Sequence, residues 1–289
     1  MEKKICIITG ANSGIGKQAV IQILNEGYHV IMACRSEKRG TEALKSIESM
    51  NSSYSAELMI VDMGLQKSIR EFAEKVKAKY KKIDVLIHNA AVFNVTQKTQ
   101  EKNSEGIETL WAVNHLGPVL LTELLLDQLK ASKNGRVITI SSQGLVAMPT
   151  LKIDLDDPEF NTKKFNVVKA YYQSKRAQVM YSYWLAEKLK DTNVTVNSIR
   201  VTAVQIDISR HPDLSAFSKW VYSIKSKMSL TAEKMAETYS YLAVSHEVSK
   251  VTGKYFNEKN EEVKSNKYTY SSENIKAVMD LTKKYIAEL

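Results

Sequence analysis

The sequence predicts an α/β protein, with one doubly wound parallel sheet and helices on both of its faces. Three observations lead to this prediction. Short apolar runs alternate along the chain with longer stretches of helical periodicity, as in repeated β-α-β units. A glycine-rich turn stands between the first apolar run and the first helical stretch. No linker rich in Pro, Gly or Ser divides the 289 residues, so a single domain over 1–289 is expected.

Strands are predicted where short apolar runs are bounded by polar or glycine residues. They are Ile5–Thr9, His29–Cys34, Glu57–Asp62, Val85–Asn89, Arg136–Ser141, Val194–Arg200 and Lys254–Phe256. Helices are predicted between them, at 14–26, 37–50, 66–80, 105–130 and 168–190. The segment 143–168 is acidic and interrupted by Pro158. We expect it to be an irregular excursion at the carboxyl edge of the sheet, where such folds bind ligands.

The composition favours a globular protein without a membrane or nucleic-acid partner. The net charge is +9, but the basic residues are mostly lysines spread along the chain, without dense blocks or interleaved aromatic residues. A solvated lysine-rich surface is therefore favoured over nucleic-acid binding, and it also attracts anionic cofactors. No run approaches about 18 apolar residues, the length of a membrane span.

The N-terminus and the cysteines predict a cytoplasmic location. The sequence MEKKICIITG enters a strand at once and lacks the apolar segment and cleavage site of a signal peptide. Cys6 and Cys34 both lie in predicted strands, where two buried thiols are favoured over a disulfide.

The stretch TGANSGIGK, from Thr9 to Lys17, predicts a dinucleotide site of the Rossmann type. Glycines between a first strand and a first helix let the backbone approach a pyrophosphate, and the helix N-terminus presents its N–H groups. The alternative is a tight turn without a ligand. The residues assigned to the cofactor here are Gly10, Asn12, Ser13, Gly14, Ile15 and Gly16.

The end of the second strand predicts NADP rather than NAD. NAD sites usually carry an acidic residue there for the ribose 2′-hydroxyl, whereas this chain has Cys34 followed by Arg35. An arginine suits a 2′-phosphate. Glu37 is acidic and close by, so NAD stays open as the less favoured cofactor.

Two tyrosine–cation pairs overlap in KAYYQSKRA, residues 169–177. Tyr171 precedes Lys175 by four residues, and Tyr172 precedes Arg176 at the same spacing, so each pair shares a helix face. A lysine one turn away favours a phenolate, whereas arginine effectively never deprotonates and is a poor proton relay. Tyr171 is therefore the predicted proton donor, and Tyr172 is predicted to pack or to contact substrate.

Taken together, these motifs resemble the short-chain dehydrogenase/reductase family, in its retinol-dehydrogenase-like branch. The resemblance covers nearly the whole chain. It includes the glycine turn, the Tyr171/Lys175 pair and the segments HNAA (88–91), VNHLG (113–117), ITISSQG (138–144) and GKYF (253–256).

The resemblance implies roles for the matching positions. Asn114, Ser142, Tyr171 and Lys175 match the catalytic tetrad, with Ser142 chosen over Ser141 as the second of the paired serines. Asp62, the following Met63 and Asn89 match positions around the adenine and ribose. Tyr171 would exchange a proton with a carbonyl or alcohol oxygen, Ser142 would hydrogen-bond the same oxygen, and Asn114 would hold a water that connects Lys175 to solvent.

The resemblance also implies partners. The substrate would be a small carbonyl compound or alcohol, and the apolar residues at helical spacing within 211–230 favour an apolar one. No metal is expected, because no cluster of Cys, His or carboxylate residues has the spacing of metal ligands. Two or four copies would associate through the helices at 105–130 and 168–190.

The chain departs from the family pattern after the sixth strand. Val201 and Thr202 stand where members usually carry Pro-Gly, Ile206 stands near an expected threonine, and Ala91 replaces a glycine. The loop is therefore not expected to follow the family path, because the restraint of proline and the freedom of glycine are both missing. These losses keep a second hypothesis open, a nucleotide-binding regulatory or sensor protein with little turnover.

The segment 201–230 is predicted as a substrate loop or lid. Within 211–230, Phe217, Val221, Ile224 and Met228 recur at helical spacing. A lid over an apolar substrate, an amphipathic helix packed on the domain and a membrane-surface helix all fit this pattern, the last least well.

Overall fold

The computed structural model describes residues 3–205 and 229–287. These residues contain seven strands: β1 (Ile5–Thr9), β2 (His29–Cys34), β3 (Ser55–Ile60), β4 (Val85–His88), β5 (Gly135–Ser142), β6 (Val194–Val201) and β7 (Lys254–Phe256). They form one sheet in the order β3-β2-β1-β4-β5-β6-β7, with every neighbouring pair parallel. The predicted α/β class and doubly wound sheet are confirmed. Strand order reverses at β1 and β4, and the carboxyl ends of those strands open the crevice where such sheets bind ligands.

Helices cover both faces of the sheet. They are α1 (Gly14–Asn25), α2 (Glu37–Glu48), α3 (Gln66–Lys79), α4 (Thr109–Trp111), α5 (Gly117–Leu124), α6 (Leu126–Ala131), α7 (Val167–Lys188), α8 (Ala232–Val244), α9 (Lys267–Tyr270) and α10 (Ser272–Ala287). A 3₁₀ turn, Gln143–Ala147, follows β5. None of the helices in the described parts of the chain is long and apolar enough to cross a membrane.

The first strand shows how one sheet serves two cores. Ile5 and Ile7 pack into the core shared with α3, α5 and α7, whereas Cys6 and Ile8 pack into the core shared with α1 and α8. Side chains alternate along a strand, so a strand buried on both faces is apolar throughout. Both cysteines are buried and free, as predicted.

The helix predicted over 105–130 is wrong in detail. Helical structure begins at Thr109 and passes through a π-helical turn, Ala112–Leu116, before α5 and α6. At Gly117 the helix approaches the backbone carbonyl of Met63 so closely that no side chain fits. The widened turn therefore lies next to the contact between the helix and Met63, which follows β3. Turns of this π-helical type are frequent at functional sites.

The third strand lies two residues earlier than predicted, at Ser55–Ile60 instead of Glu57–Asp62. Asp62 leaves the ladder because its N–H donates to Ser68 Oγ at 2.9 Å and its carboxylate accepts the Gly64 N–H at 2.8 Å. These local bonds begin the turn into α3 and end the strand.

The C-terminal helix α10 packs on the face of α4 and α7. Val278 joins a core with Trp111 and Met180, and Thr282 Oγ1 lies 2.7 Å from His115 Nε2. This face belongs to the helices through which copies were expected to associate. Any pairing there has to include α10, and the number of associated copies stays a prediction.

Candidate active site

The glycine turn has the backbone geometry that a phosphate cradle requires. Gly10 and Gly14 have φ values of +66° and +55°, a region that favours glycine. A Cβ at Gly10 would lie 2.9 Å from Ala90 Cα, and a Cβ at Gly16 would overlap the side-chain amide of Asn89. Side chains at these positions would therefore push the turn away from β4.

Asn89 fastens this turn to its neighbours. Its Nδ2 donates to the carbonyls of Thr9 at 2.9 Å and Gly10 at 3.1 Å, while Oδ1 accepts a hydrogen bond from Tyr239 at 3.2 Å. The residue was expected near the ribose of a cofactor. Its amide is engaged with the turn itself, so Asn89 shapes the site as well as lining it.

A cleft of about 320 Å³ opens beside the turn at the carboxyl ends of β1, β2 and β4. The residues that sequence analysis assigned to the cofactor and that line this cleft are Gly10, Asn12, Ser13, Arg35, Asp62, Met63 and Asn89. Gly14, Ile15 and Gly16 do not line it and lie at the start of α1. Seven of the ten residues assigned to the cofactor in these segments therefore line one cleft.

Arg39 lies in the same cleft and was missed by sequence analysis. It stands one helical turn after Arg35, and Ser36 caps α2 between them by accepting the Arg39 N–H. Within the described parts of the chain neither arginine forms an ion pair. Glu37, which kept NAD open, does not line the cleft. The signal for Arg39 was the i, i+4 spacing from Arg35.

Tyr171 and Lys175 meet on α7 at the opposite side of the crevice. Lys175 Nζ lies 5.9 Å from the centre of the Tyr171 ring and donates to the Ile140 carbonyl at 2.8 Å. Burial of the lysine, only 2% exposed, lowers its pKa to about 7. Burial raises the pKa of Tyr171 well above its ordinary value, while Ser142 opposes this shift by hydrogen bonding.

The paired serines at the end of β5 point to different places. Ser141 is buried and donates to the Lys175 carbonyl at 3.3 Å. Ser142 is the serine that reaches the Tyr171 hydroxyl, and its Oγ also accepts the Gly144 N–H at 3.2 Å. Because strand side chains alternate, only one of two adjacent serines can face the tyrosine.

Asn114 lies in the π-helical turn and is completely buried. Its Oδ1 accepts the Val92 N–H at 2.8 Å, and its Nδ2 donates to the Val92 carbonyl at 3.0 Å and to Ser174 Oγ at 3.2 Å. The side chain therefore fixes the loop that follows β4. The water that the resemblance places on Asn114 stays a prediction.

The loop fixed by Asn114 carries Phe93 onto the tyrosine. The two rings stack with centroids 4.2 Å apart, and Phe93 is still 42% exposed. Tyr172 covers Gly144, where any side chain would collide with its hydroxyl group. Its ring also meets the Tyr171 ring edge to face, with centroids 5.1 Å apart, so the two adjacent tyrosines share one contact and differ in their other neighbours.

The segment at the end of β6 carries Val201 and Thr202 at the positions of the family's Pro-Gly, and whether its path departs from that of the family stays a prediction. β6 continues to Val201, which pairs with Ser142, and Thr202 donates to Gln143 Oε1. Because this stretch contains neither proline nor glycine, no residue in it interrupts the strand before Val201. Val204 then pairs with Leu230, whereas Ile206 and the lid residues predicted between 206 and 228 lie outside the described residues.

The profile of the family described as short chain dehydrogenase matches residues 4–152. Human retinol dehydrogenase 13 is 38% identical over 256 residues, which cover 88% of this chain and 76% of that protein. Human retinol dehydrogenase 12 is 34% identical, with coverage of 88% and 78%. The chain belongs to the short-chain dehydrogenase/reductase family. Within it, the chain is retinol-dehydrogenase-like, as the sequence motifs predicted.

Solved structures agree on the fold. A protein from Mycobacterium paratuberculosis superimposes with a TM-score of 0.76 at 23% identity, covering 98% of this chain and 93% of that one. A short chain dehydrogenase from Shigella flexneri, complexed with NADP, gives 0.68 at 20% identity, with coverage of 90% and 98%.

Family membership makes this dehydrogenase an oxidoreductase that acts on CH–OH groups of small molecules with a nicotinamide cofactor. The sensor alternative, which rested on the altered loop after β6, is therefore not carried further.

Proposed function

We propose that this dehydrogenase uses NADP(H) to interconvert an apolar aldehyde or ketone with its alcohol, with Tyr171 as general acid and base. The observation that carries the proposal is the grouping of Tyr171, Ser142 and buried Lys175 at the sheet edge that also holds the glycine turn. In this grouping Tyr171 would supply the proton, Ser142 would hydrogen-bond the substrate oxygen and Lys175 would supply a positive charge. The three residues lie across the crevice from the glycine turn that would hold the dinucleotide.

The cofactor half fits NADP(H) by its shape and charge. Gly10 lets the turn pack closely against Ala90, because a Cβ there would lie 2.9 Å from Ala90 Cα, and Gly10 itself lines the cleft that would take the pyrophosphate. Arg35 and Arg39 are exposed cations in the cleft without ion-pair partners among the described residues, as a 2′-phosphate requires. Where NAD sites hold a carboxylate, Cys34 is a buried thiol whose pKa burial raises to about 11.

The proton-transfer half follows from the state of Tyr171. Its raised pKa keeps the phenol protonated at neutral pH, which is the form that donates to a carbonyl oxygen during reduction. Ser142 stabilises the developing charge on that oxygen. When bound, the nicotinamide cofactor supplies or accepts the hydride, and Lys175 beside the ring favours the phenolate needed for alcohol oxidation.

Asn114 and Phe93 prepare the substrate side. Asn114 holds the Val92 backbone and so keeps the Phe93 ring on Tyr171. Exposed Phe93 places an apolar ring beside Tyr171 at the entrance. The retinol dehydrogenases among the relatives are named for an apolar alcohol, and we extend that substrate class to this chain.

The test measures binding and turnover separately. NADPH and NADH are titrated into the purified protein by fluorescence, and NADPH oxidation is followed with a series of apolar aldehydes that includes retinal. We expect NADPH to bind more tightly than NADH. Replacing both Arg35 and Arg39 by alanine should weaken NADPH binding about tenfold or more, and NADH binding only slightly.

The matched control is Lys38→Ala. Lys38 is an exposed cation on the same helix that does not line the cleft, so its loss should leave both affinities unchanged. Equal affinities for NADH and NADPH would overturn the cofactor assignment. Tight NADPH binding without turnover of any apolar aldehyde would overturn the substrate class.

A further inference from the structure

A second cavity, of about 200 Å³, lies along α7 beyond Tyr172 and shares no lining residue with the cofactor cleft. Arg176 and Val179 of α7 form one wall, and Leu145 and Val146 of the 3₁₀ turn form another. Tyr255 of β7 completes its inner end. Tyr172, packed over Gly144, stands one helical turn before Arg176 on the same helix face.

Arg176 is buried in this cavity without a counter-ion. It is 1% exposed, and only its Nη2 has a partner, the Met148 carbonyl at 2.9 Å. Its Nε and Nη1 have no hydrogen-bond partner in the part of the chain that the structure describes. Among the same residues no carboxylate forms an ion pair with it.

A buried guanidinium in this state is unfavourable unless something compensates it. Burial lowers its pKa, and the groups that oppose this shift are the aromatic hydroxyl residues Tyr268 and Tyr255 instead of a carboxylate. Arginine nevertheless keeps its charge in proteins. The Tyr268 ring, whose centre lies 6.0 Å from the guanidinium carbon, and the Met148 carbonyl compensate only part of the charge, so the site is matched to an anion.

The rest of the cavity defines the kind of anion. Lys264 stands at its exposed mouth, and Ser265 and Asn266 add polar groups beside it. Leu145, Val146 and Val179 add apolar side chains to the lining. A cavity lined by both positive charge and aliphatic side chains suits an amphipathic anion better than a fully hydrated one.

We propose that this cavity binds a small carboxylate with a short apolar chain, whose carboxyl group is held by Arg176 with help from Lys264. The apolar chain packs against the 3₁₀ turn that follows Ser142. This site is independent of the cofactor and of the proposed reaction. It adjoins the catalytic helix, because Arg176 directly follows Lys175.

The experiment is isothermal titration calorimetry on the intact protein. Hexanoate, hexanol and inorganic phosphate are titrated into wild type, Arg176→Met and Arg35→Met. We expect hexanoate to bind wild type, hexanol not to bind, and Arg176→Met to weaken hexanoate about tenfold or more. Arg35→Met removes a cation from the cofactor cleft and should leave hexanoate binding unchanged.

Each other outcome overturns the proposal. Hexanoate binding that survives Arg176→Met places the carboxylate elsewhere. Phosphate binding that exceeds hexanoate binding and depends on Arg176 excludes a carboxylate site. Absence of hexanoate binding to wild type means that water alone compensates the arginine. A thermal melt of Arg176→Met with near-UV circular dichroism shows whether the variant is folded, and Arg176→Lys, which keeps the charge, should retain part of the affinity.

Discussion

Two cations are adjacent in the sequence of α7, and they differ in whether the side chain can lose its proton. Lys175 and Arg176 are both almost completely buried. Lys175 lies beside Tyr171 and donates to a backbone carbonyl, and its pKa falls to about 7, so it can lose its charge. Arg176 lies about 100° further around the helix and keeps its charge. The same spacing of tyrosine and cation therefore places the proposed proton relay on one face and the proposed anion site on the next.

The comparison teaches that a buried cation is informative only together with its ability to deprotonate. Lysine tolerates burial by becoming neutral, and an enzyme can use that change in charge. Arginine tolerates burial only with a partner. The predictions that follow test each half of this contrast, from the largest expected effect to the smallest.

The two tyrosines give the largest contrast. Tyr171→Phe removes the proposed proton donor and should lower kcat/KM about 10³-fold, within the usual range for general acid–base catalysis. Tyr172→Phe removes a hydroxyl group packed over Gly144 and should change kcat/KM only a few-fold. Steady-state kinetics with the same aldehyde and NADPH measure both. A comparable loss in the two variants would erase the distinction between the two helix faces.

Removing the buried arginine should not destabilise the fold. Arg176→Met replaces a buried charge that has no carboxylate partner among the described residues by an apolar chain of similar length, so the free energy of unfolding should stay level or rise by about 1–3 kcal/mol. Urea denaturation of the purified variants measures this change. A marked loss of stability would show that the bond to the Met148 carbonyl already compensates the charge, and would weaken the case for an anion.

The pH dependence of stability isolates Lys175. Its pKa in the folded protein is about 7, well below the ordinary value near 10.4, so the unfolded chain binds more protons between these values. In the cofactor-free protein this group should therefore raise the free energy of unfolding with pH above about 7, by about 1 kcal/mol per pH unit. Below the folded pKa both states bind the proton, so the slope from this group vanishes and its destabilising effect is complete.

Buried tyrosines act in the opposite direction. Burial raises the pKa of Tyr181 and Tyr239 well above the usual value, so their contribution falls once unfolded tyrosines ionise near pH 10. Wild type and Lys175→Met both contain these tyrosines, so their contribution cancels in the difference between the two free energies of unfolding. Urea midpoints of both proteins from pH 7 to about 9 should diverge if the lysine is neutral in the fold, and identical slopes would contradict a lowered pKa.

The site could be predicted from the sequence where chemistry and spacing coincide. The +4 spacing selected Tyr171 over Tyr172, and the glycine turn located the dinucleotide cleft, because both depend on local backbone geometry. The structure places Ser142 beside Tyr171 for the same reason, since strand alternation is local. Their roles in turnover stay predictions until the kinetics are measured.

The remaining features depend on contacts between distant segments. Asn89 was expected to serve the cofactor, but its amide binds a turn roughly 80 positions earlier in the chain. The helices α8 and α10 were not predicted from the sequence. Their apolar faces can be recognised only once the fold packs them against α1 and α7. The missing counter-ion of Arg176 is likewise a property of the assembled cavity, since nothing in KAYYQSKRA distinguishes it from a surface arginine.

The pairing of Val204 with Leu230 anchors two segments that lie far apart in the sequence. The Gln205 N–H donates to the Leu230 carbonyl at 2.9 Å, and the Leu230 N–H donates to the Ala203 carbonyl at 3.1 Å. Val204 comes shortly after β6, and β6 pairs with the strand that carries Ser142. The chain therefore returns at Leu230 to the same end of the sheet at which the proposed proton-transfer residues lie, and a change at this bridge would reach Ser142 through a single strand.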